Sequence, residues 1–165
     1  MFSFHKLPDG LGFFHPVALI ASFFGSGLVK PASGTWGSLA ALVPGIYIGM
    51  SYGPFGLITA SLIAYVIGHL ACVVWLSKAP DDVDPSAIVI DEVAGLWLAL
   101  SCAPLSPLGI ALAFALFRLF DIVKPFPINL VEAKIKGAHG VMLDDIMAGV
   151  WAGLLLIAAQ TYNLI

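Results

Sequence analysis

Apolar residues run along this chain in six blocks, at roughly 11–24, 36–50, 56–77, 88–103, 107–123 and 143–162. A helix needs about 20 apolar residues to cross a bilayer core. The stretch from Gly56 to Ser77 meets that length without a charge, and Ile146 to Ile165 also meets it. The other blocks are shorter or carry a charge near one end. The first is the weakest and is short enough to be interfacial or re-entrant; full spanning is also open for the second, which Pro44 is expected to kink or end. Polar and turn-forming residues separate the blocks: Gly25-Ser26-Gly27 and Ser33-Gly34-Thr35 in the first loop, Pro80 and Pro85, then Pro104 and Pro107, and Pro125 and Pro127 after Lys124. The pattern predicts an all-α fold, a compact membrane bundle of about six apolar helices, over a single domain 1–165. It contains no internal repeat.

Composition strengthens the membrane reading. The chain is 60% hydrophobic and only 10% charged, against roughly 25% charged in soluble domains, and its mean hydropathy is +1.01. A net charge of −3 with no basic run argues against a nucleic-acid partner. Cys72 and Cys102 lie in apolar runs without metal-ligand spacing and read as small hydrophobes. Lys6 precedes an apolar stretch, as in a signal peptide. Asp9 and Pro16 interrupt that pattern and no cleavage-type site follows, so the segment is expected to be retained.

The few charges are not scattered. They fall in islands: Asp81-Asp82-Val83-Asp84, Asp91-Glu92, Arg118 with Asp121 and Lys124, and Asp144-Asp145. If all six blocks cross, the loops near 25–35, 78–87 and 124–142 share one side. That side collects the acidic islands together with Lys30, Lys78, Lys124, Lys134 and Lys136. The other side carries no charge except Lys6 and Asp9. A lysine excess marks the cytoplasmic side, and the same alternation brings the acids to one depth.

Acids beside or inside apolar segments are costly and mark function. Asp91-Glu92 opens the fourth block and Asp144-Asp145 the sixth. The helix macrodipole would favour one such pair at a helix start. Neighbouring helical side chains point about 100° apart, so each pair could send one carboxylate inward and one to water. Several carboxylates at one level repel one another unless a cation sits among them, and hard oxygen ligands suit Mg²⁺. Arg118, Asp121 and Lys124 recur at three-residue steps, either as an ion-pair ladder or with Asp121 joining the acids while Arg118 and Lys124 hold an anion. Ser33-Gly34-Thr35 leads into an apolar helix, where small residues and free N–H groups could approach a phosphate; it lacks the lysine of a Walker loop. His69 reads as a helix–helix contact. His139 lies near the last acidic pair in sequence, and no Ser-His-Asp or Cys-His arrangement follows from spacing.

Four segments occur in order: FGSGL-x-x-x-x-SGTWGSLAAL, IVIDEVAG, FRLFDIVKPFPI and GVMLDDIMAG. Together they resemble the phosphatidylglycerophosphatase A family over about Phe24 to Val150. The resemblance implies a multi-pass lipid phosphatase of the bacterial inner membrane with its site facing the cytoplasm. It would convert phosphatidylglycerophosphate, a phospholipid substrate, to phosphatidylglycerol and phosphate with Mg²⁺. The family's acidic positions fall on Asp84, Asp91, Glu92, Asp121, Asp144 and Asp145, and its basic positions on Arg118 and Lys124. Asp81 and Asp82 fall outside the matched segments.

The expected chemistry is metal-assisted phosphoryl transfer to water. Asp91, Glu92, Asp121 and Asp145 are the catalytic candidates, with Asp91 or Asp145 as base; a covalent aspartyl-phosphate is the variant route. Arg118, Lys124 and Ser33-Gly34-Thr35 would hold phosphate. The rival class is a non-enzymatic cation channel or transporter built on intramembrane carboxylates. The placement of charge on one side, with no polar exit opposite, speaks against it.

Overall fold

Charge sits at one end of the helical bundle and apolar side chains cover the rest. The computed structural model describes residues 3–79 and 85–165. Six helices occur among them: α1 (Pro16–Ala21), α2 (Ser33–Ser77), α3 (Ile90–Leu100), α4 (Pro107–Val123), α5 (Ile128–Lys134) and α6 (Gly137–Thr161). Two-residue strands β1 (Ser3–Phe4) and β2 (Val29–Lys30) pair antiparallel. The all-α, multi-helix expectation holds. The helices are apportioned differently from the six blocks.

Helix α2 fuses the second and third blocks. Its helical geometry is broken at Gly53 (φ 66°, ψ −165°), just before Pro54. Proline at the first position of a new helix forgoes only a hydrogen bond that would be unmade anyway. The packing shows that the chain doubles back there. Gly37, Gly45 and Gly49 of the first arm lie against Val89, Trp97 and Leu105 in that order. In the second arm Ser61 Oγ donates to the Ala94 carbonyl at 2.7 Å, and Gly68 lies against Ile90. The arms therefore run in opposite directions along α3. Pro44, expected to kink or end the helix, lies inside the first arm; the break is at Gly53, where only glycine adopts the backbone without strain.

The first block does not cross. Helix α1 has six residues, about 9 Å at 1.5 Å per residue, and the chain returns at once through Gly25. His5 Nε2 then lies 3.4 Å from Ser86 Oγ, and Gly10 lies beside the Lys78 ammonium. Lys6 and Asp9, expected at the opposite end, thus belong with the other charges, because the first block turns back.

Helix α3 is the centre of the bundle, packed against both arms of α2, against α4 and against α6. Helices α3 and α6 meet backbone to backbone. A β-carbon on Gly95 would strike the Asp145 carbonyl, and one on Gly149 would strike the Gly95 carbonyl. Small residues permit such close approach, which gives apolar helices contact where no water is expelled. Trp75, Phe117, Leu96, Leu100, Met142 and Leu156 fill the core. Val43, Tyr47, Met50, Leu62, Val66, Leu70, Leu119, Ile122 and Leu154 face outward, far more exposed apolar surface than a water-soluble monomer carries. By length and composition α2 and α6 are able to cross a membrane.

Candidate active site

The fourth block begins its helix where expected. Asp91 and Glu92 occupy the first turn of α3, and Asp91 Oδ1 accepts from the Glu92 N–H at 3.0 Å. The last acidic pair does not open its helix. Helix α6 starts at Gly137, so Asp144 and Asp145 lie two turns inside it, beyond the reach of the helix-end charge that decays within the first turn. They are nonetheless buried, at 8% and 3% exposure. The expectation that each pair divides between interior and water also fails: Asp91, Glu92, Asp144 and Asp145 all line one cavity. The Gly95–Asp145 approach draws α6 against α3 and turns both pairs into the same space.

That cavity has a volume of about 340 Å³. Oxygens of Asp91, Glu92 and Asp145 lie within 4.8 Å of one another. Asp121 and Lys124 from the end of α4, and Glu132 and Lys136 from α5 and its exit, complete the polar wall. Asp84 lies outside the described residues.

Arg118 and Lys124 part company. Arg118 Nη1 contacts Asp121 Oδ2 at 2.5 Å and Glu92 Oε1 at 3.7 Å. The first rung of the expected ladder therefore forms. Lys124 is the C-cap of α4, in a left-handed conformation (φ 46°), and reaches the other way, 2.7 Å from both Asp144 Oδ2 and Glu132 Oε1. Burial alone would depress this ammonium. The hydrogen bonds to Asp144 and Glu132 outweigh it and hold Lys124 protonated well above the usual lysine range. Glu92 Oε2 and Arg118 Nε are among the buried polar atoms without a hydrogen-bond partner in the described residues.

Ser33, Gly34 and Thr35 form the first turn of α2, and no side chain caps it. A β-carbon on Gly34 would collide with Glu92 Oε1 and sit 3.0 and 3.1 Å from the Arg118 guanidinium nitrogens. The α2 start is thus brought to the Arg118–Glu92 pair, while the walls of the cavity itself come from α3 to α6 and the segment before α3. His139 stacks on His69 at 3.9 Å and its Nδ1 lies 3.5 Å from Tyr65 Oη; it does not line the cavity. Cys72 and Cys102 are free thiols.

Glu132, Lys136 and the Gly137–Gly140 turn were missed as wall residues by sequence reasoning. The signal was faint: Glu132 lies eight residues from Lys124 across two prolines, and only the turn through Pro125 and Pro127 brings the two together.

The family model described as Phosphatidylglycerophosphatase A matches residues 19–160. The chain belongs to the phosphatidylglycerophosphatase A family. It is 38% identical over 154 residues to a phosphatidylglycerophosphatase A of Haemophilus influenzae, covering 91% of this chain and 92% of that one. It is 36% identical over 156 residues to the Escherichia coli protein of the same name, covering 91% and 87%. A putative phosphatidylinositol-3-phosphatase of Bacteroides thetaiotaomicron is 37% identical over 154 residues, covering 89% and 94%. No solved structure matches. Membership in this family makes the chain a phosphatase and sets the channel reading aside. Together with the two long apolar helices it makes the chain a membrane protein.

Proposed function

We propose that this chain removes the terminal phosphate from phosphatidylglycerophosphate, giving phosphatidylglycerol and inorganic phosphate in glycerophospholipid biosynthesis, and that it uses Mg²⁺. The observation that carries the reading is the convergence of Asp91, Glu92 and Asp145 within 4.8 Å, in a member of a family named for this reaction. The donor set fits the ion: hard carboxylate oxygens from two helices, one of them, Glu92 Oε2, buried without a partner. Asp91, Glu92 and Asp145 would hold it, with Asp121, Asp144 and Asp84 as further ligands. Bound there, the ion supplies Lewis-acid polarisation of a phosphoryl oxygen.

The chain's own groups do the rest. Lys124 spends two of its three N–H donors on Asp144 and Glu132, leaving the third for a phosphate oxygen. Arg118 stands between Glu92 and the start of α2, where its planar donors can take a second oxygen and the N–H groups of Ser33-Gly34-Thr35 add a helix-end partial charge. Asp91 or Asp145 accepts the proton of the attacking water. Six carboxylates line the cavity and would repel a phosphate; Lys124, Lys136, Arg118 and a divalent ion would offset most of that charge.

The exposed apolar belt supports a multi-pass protein of the bacterial inner membrane. The lysines at the charged end favour its placement in the cytoplasm, where a lipid headgroup in the inner leaflet meets the cavity.

Phosphate release from phosphatidylglycerophosphate, phosphatidylinositol 3-phosphate and phosphatidic acid by the purified protein tests the substrate. The highest kcat/KM is expected on phosphatidylglycerophosphate. A higher value on the inositol lipid would move the assignment to the activity named for the Bacteroides relative, and no release from any of the three would overturn the reading.

A further inference from the structure

Helix α5 presents three distinct faces. Ile128 is fully buried and anchors it to the core. Glu132, with Ile135 and Lys136 just beyond the helix, faces the acidic cavity, held by the 2.7 Å contact to Lys124 and by Lys136 Nζ donating to the Glu132 carbonyl at 2.9 Å. The third is apolar and open at Leu130, 39% exposed, and Phe126, in the turn just before the helix, is 72% exposed.

The last turn of α4, just before this turn in the chain, adds Ile122 and Val123, 69% and 62% exposed, to an apolar stripe that shares its helix face with exposed Leu119. Apolar surface left in water forgoes its transfer free energy, and here the stripe is continuous with the lipid-facing belt of the bundle. Lys134, in the last turn of α5, adds a cation at the charged end, as in an amphipathic element lying at a headgroup–acyl boundary.

We propose that Phe126 and Leu130 form a lipid-contacting lip, over which a phospholipid passes its headgroup into the acidic cavity while its acyl chains rest along α4. The inference rests on the phosphatase reading for the headgroup, and on the exposed stripe alone for the lipid contact. Lys124 directly follows Val123 and lines the cavity, so a phospholipid whose chains lie on Ile122 and Val123 has its headgroup beside the cavity rim. Lipid is the occupant because the stripe joins the bilayer-facing surface and has a cation at its charged end; a second protein would meet the same stripe only by leaving the membrane belt.

Two readouts test the lip. In vesicles of phosphatidylglycerol and phosphatidylethanolamine, Phe126→Trp should add emission, relative to the parent, that is blue-shifted and quenched by lipids brominated near the carbonyl. Added emission that is red-shifted, open to acrylamide and untouched by bromolipid would overturn the proposal. The double variant Phe126→Gln, Leu130→Gln should lower turnover of bilayer-embedded phosphatidylglycerophosphate by about tenfold, while turnover of a water-soluble phosphomonoester such as glycerol 3-phosphate stays within about twofold. Equal loss on both substrates, or loss on neither, would contradict it. A parent protein inert on both would contradict the phosphatase reading instead, and the quenching result would still decide the lip.

Discussion

Gly34 lies so close to Glu92 that a single added β-carbon would run into the carboxylate. The start of α2, far away in sequence, is thereby part of the wall that fixes Glu92 and Arg118. Gly34→Ala should push Glu92 or Arg118 aside while leaving the helices intact, since the displaced atoms are side-chain ends. Turnover should fall by about 10- to 100-fold, because small misplacements of reacting groups cost that much, with the melting temperature in detergent nearly unchanged. Steady-state kinetics beside circular dichroism melts check it; a large loss of melting temperature would assign Gly34 a purely structural role.

Asp145 is the most enclosed acid of the cluster, and its neutral isostere should keep the shape while removing a ligand charge. Asp145→Asn should weaken Mg²⁺ or Mn²⁺ binding by at least about tenfold, measured by calorimetric titration of the purified protein. Unchanged affinity would remove Asp145 from the ligand set.

Lys124 separates backbone strain from function. Its left-handed conformation (φ 46°) costs a non-glycine residue about 1 kcal/mol, which glycine would not incur. Lys124→Gly should therefore change the melting temperature by no more than a few degrees, as the relieved strain offsets the lost ion pairs. Its KM should rise at least about fivefold as a phosphate contact disappears. A KM equal to the parent's would show that Lys124 serves only to tie α5 to α6.

Gly95 makes the closest helix–helix approach in the site. Gly95→Val would force α3 from α6 against backbone atoms that cannot swing away. A loss of roughly 1–3 kcal/mol is expected from such overpacking, and activity should fall with it. Denaturation in mild detergent reads the first and phosphate release the second; full stability would mean that the helices separate without cost.

Much of the site was legible in the sequence because its residues are conspicuous against their surroundings. Asp91, Glu92, Asp121, Asp144 and Asp145 are charges in apolar runs, and loop alternation alone predicted that they meet at one end. The outline of the helices was legible for the same reason. The start of α6 was not. Gly137, Gly140 and His139 resemble loop residues, yet Gly140 continues the helix because Ala138 and Met142 are buried beside it. The first block was already the weakest, short enough to be interfacial or re-entrant, and the turn after Ala21 stops it. The wall contributed by Glu132 was hidden because its partner, Lys124, belongs to a different helix, and the intervening prolines set a direction that no local pattern encodes. Gly34 was expected near a phosphate, and its contact with Glu92 was invisible without the fold.

The central claim is that acids from separate helices cage one divalent ion at the charged end. The most direct measurement is phosphate release from phosphatidylglycerophosphate by the purified protein after chelation, followed by Mg²⁺ titration, for the parent and for Asp91→Asn. Turnover should vanish on chelation, return with added Mg²⁺ in the parent, and fail to return in the variant at parental Mg²⁺ concentrations. Full turnover in excess chelator, or a variant that titrates like the parent, would contradict it.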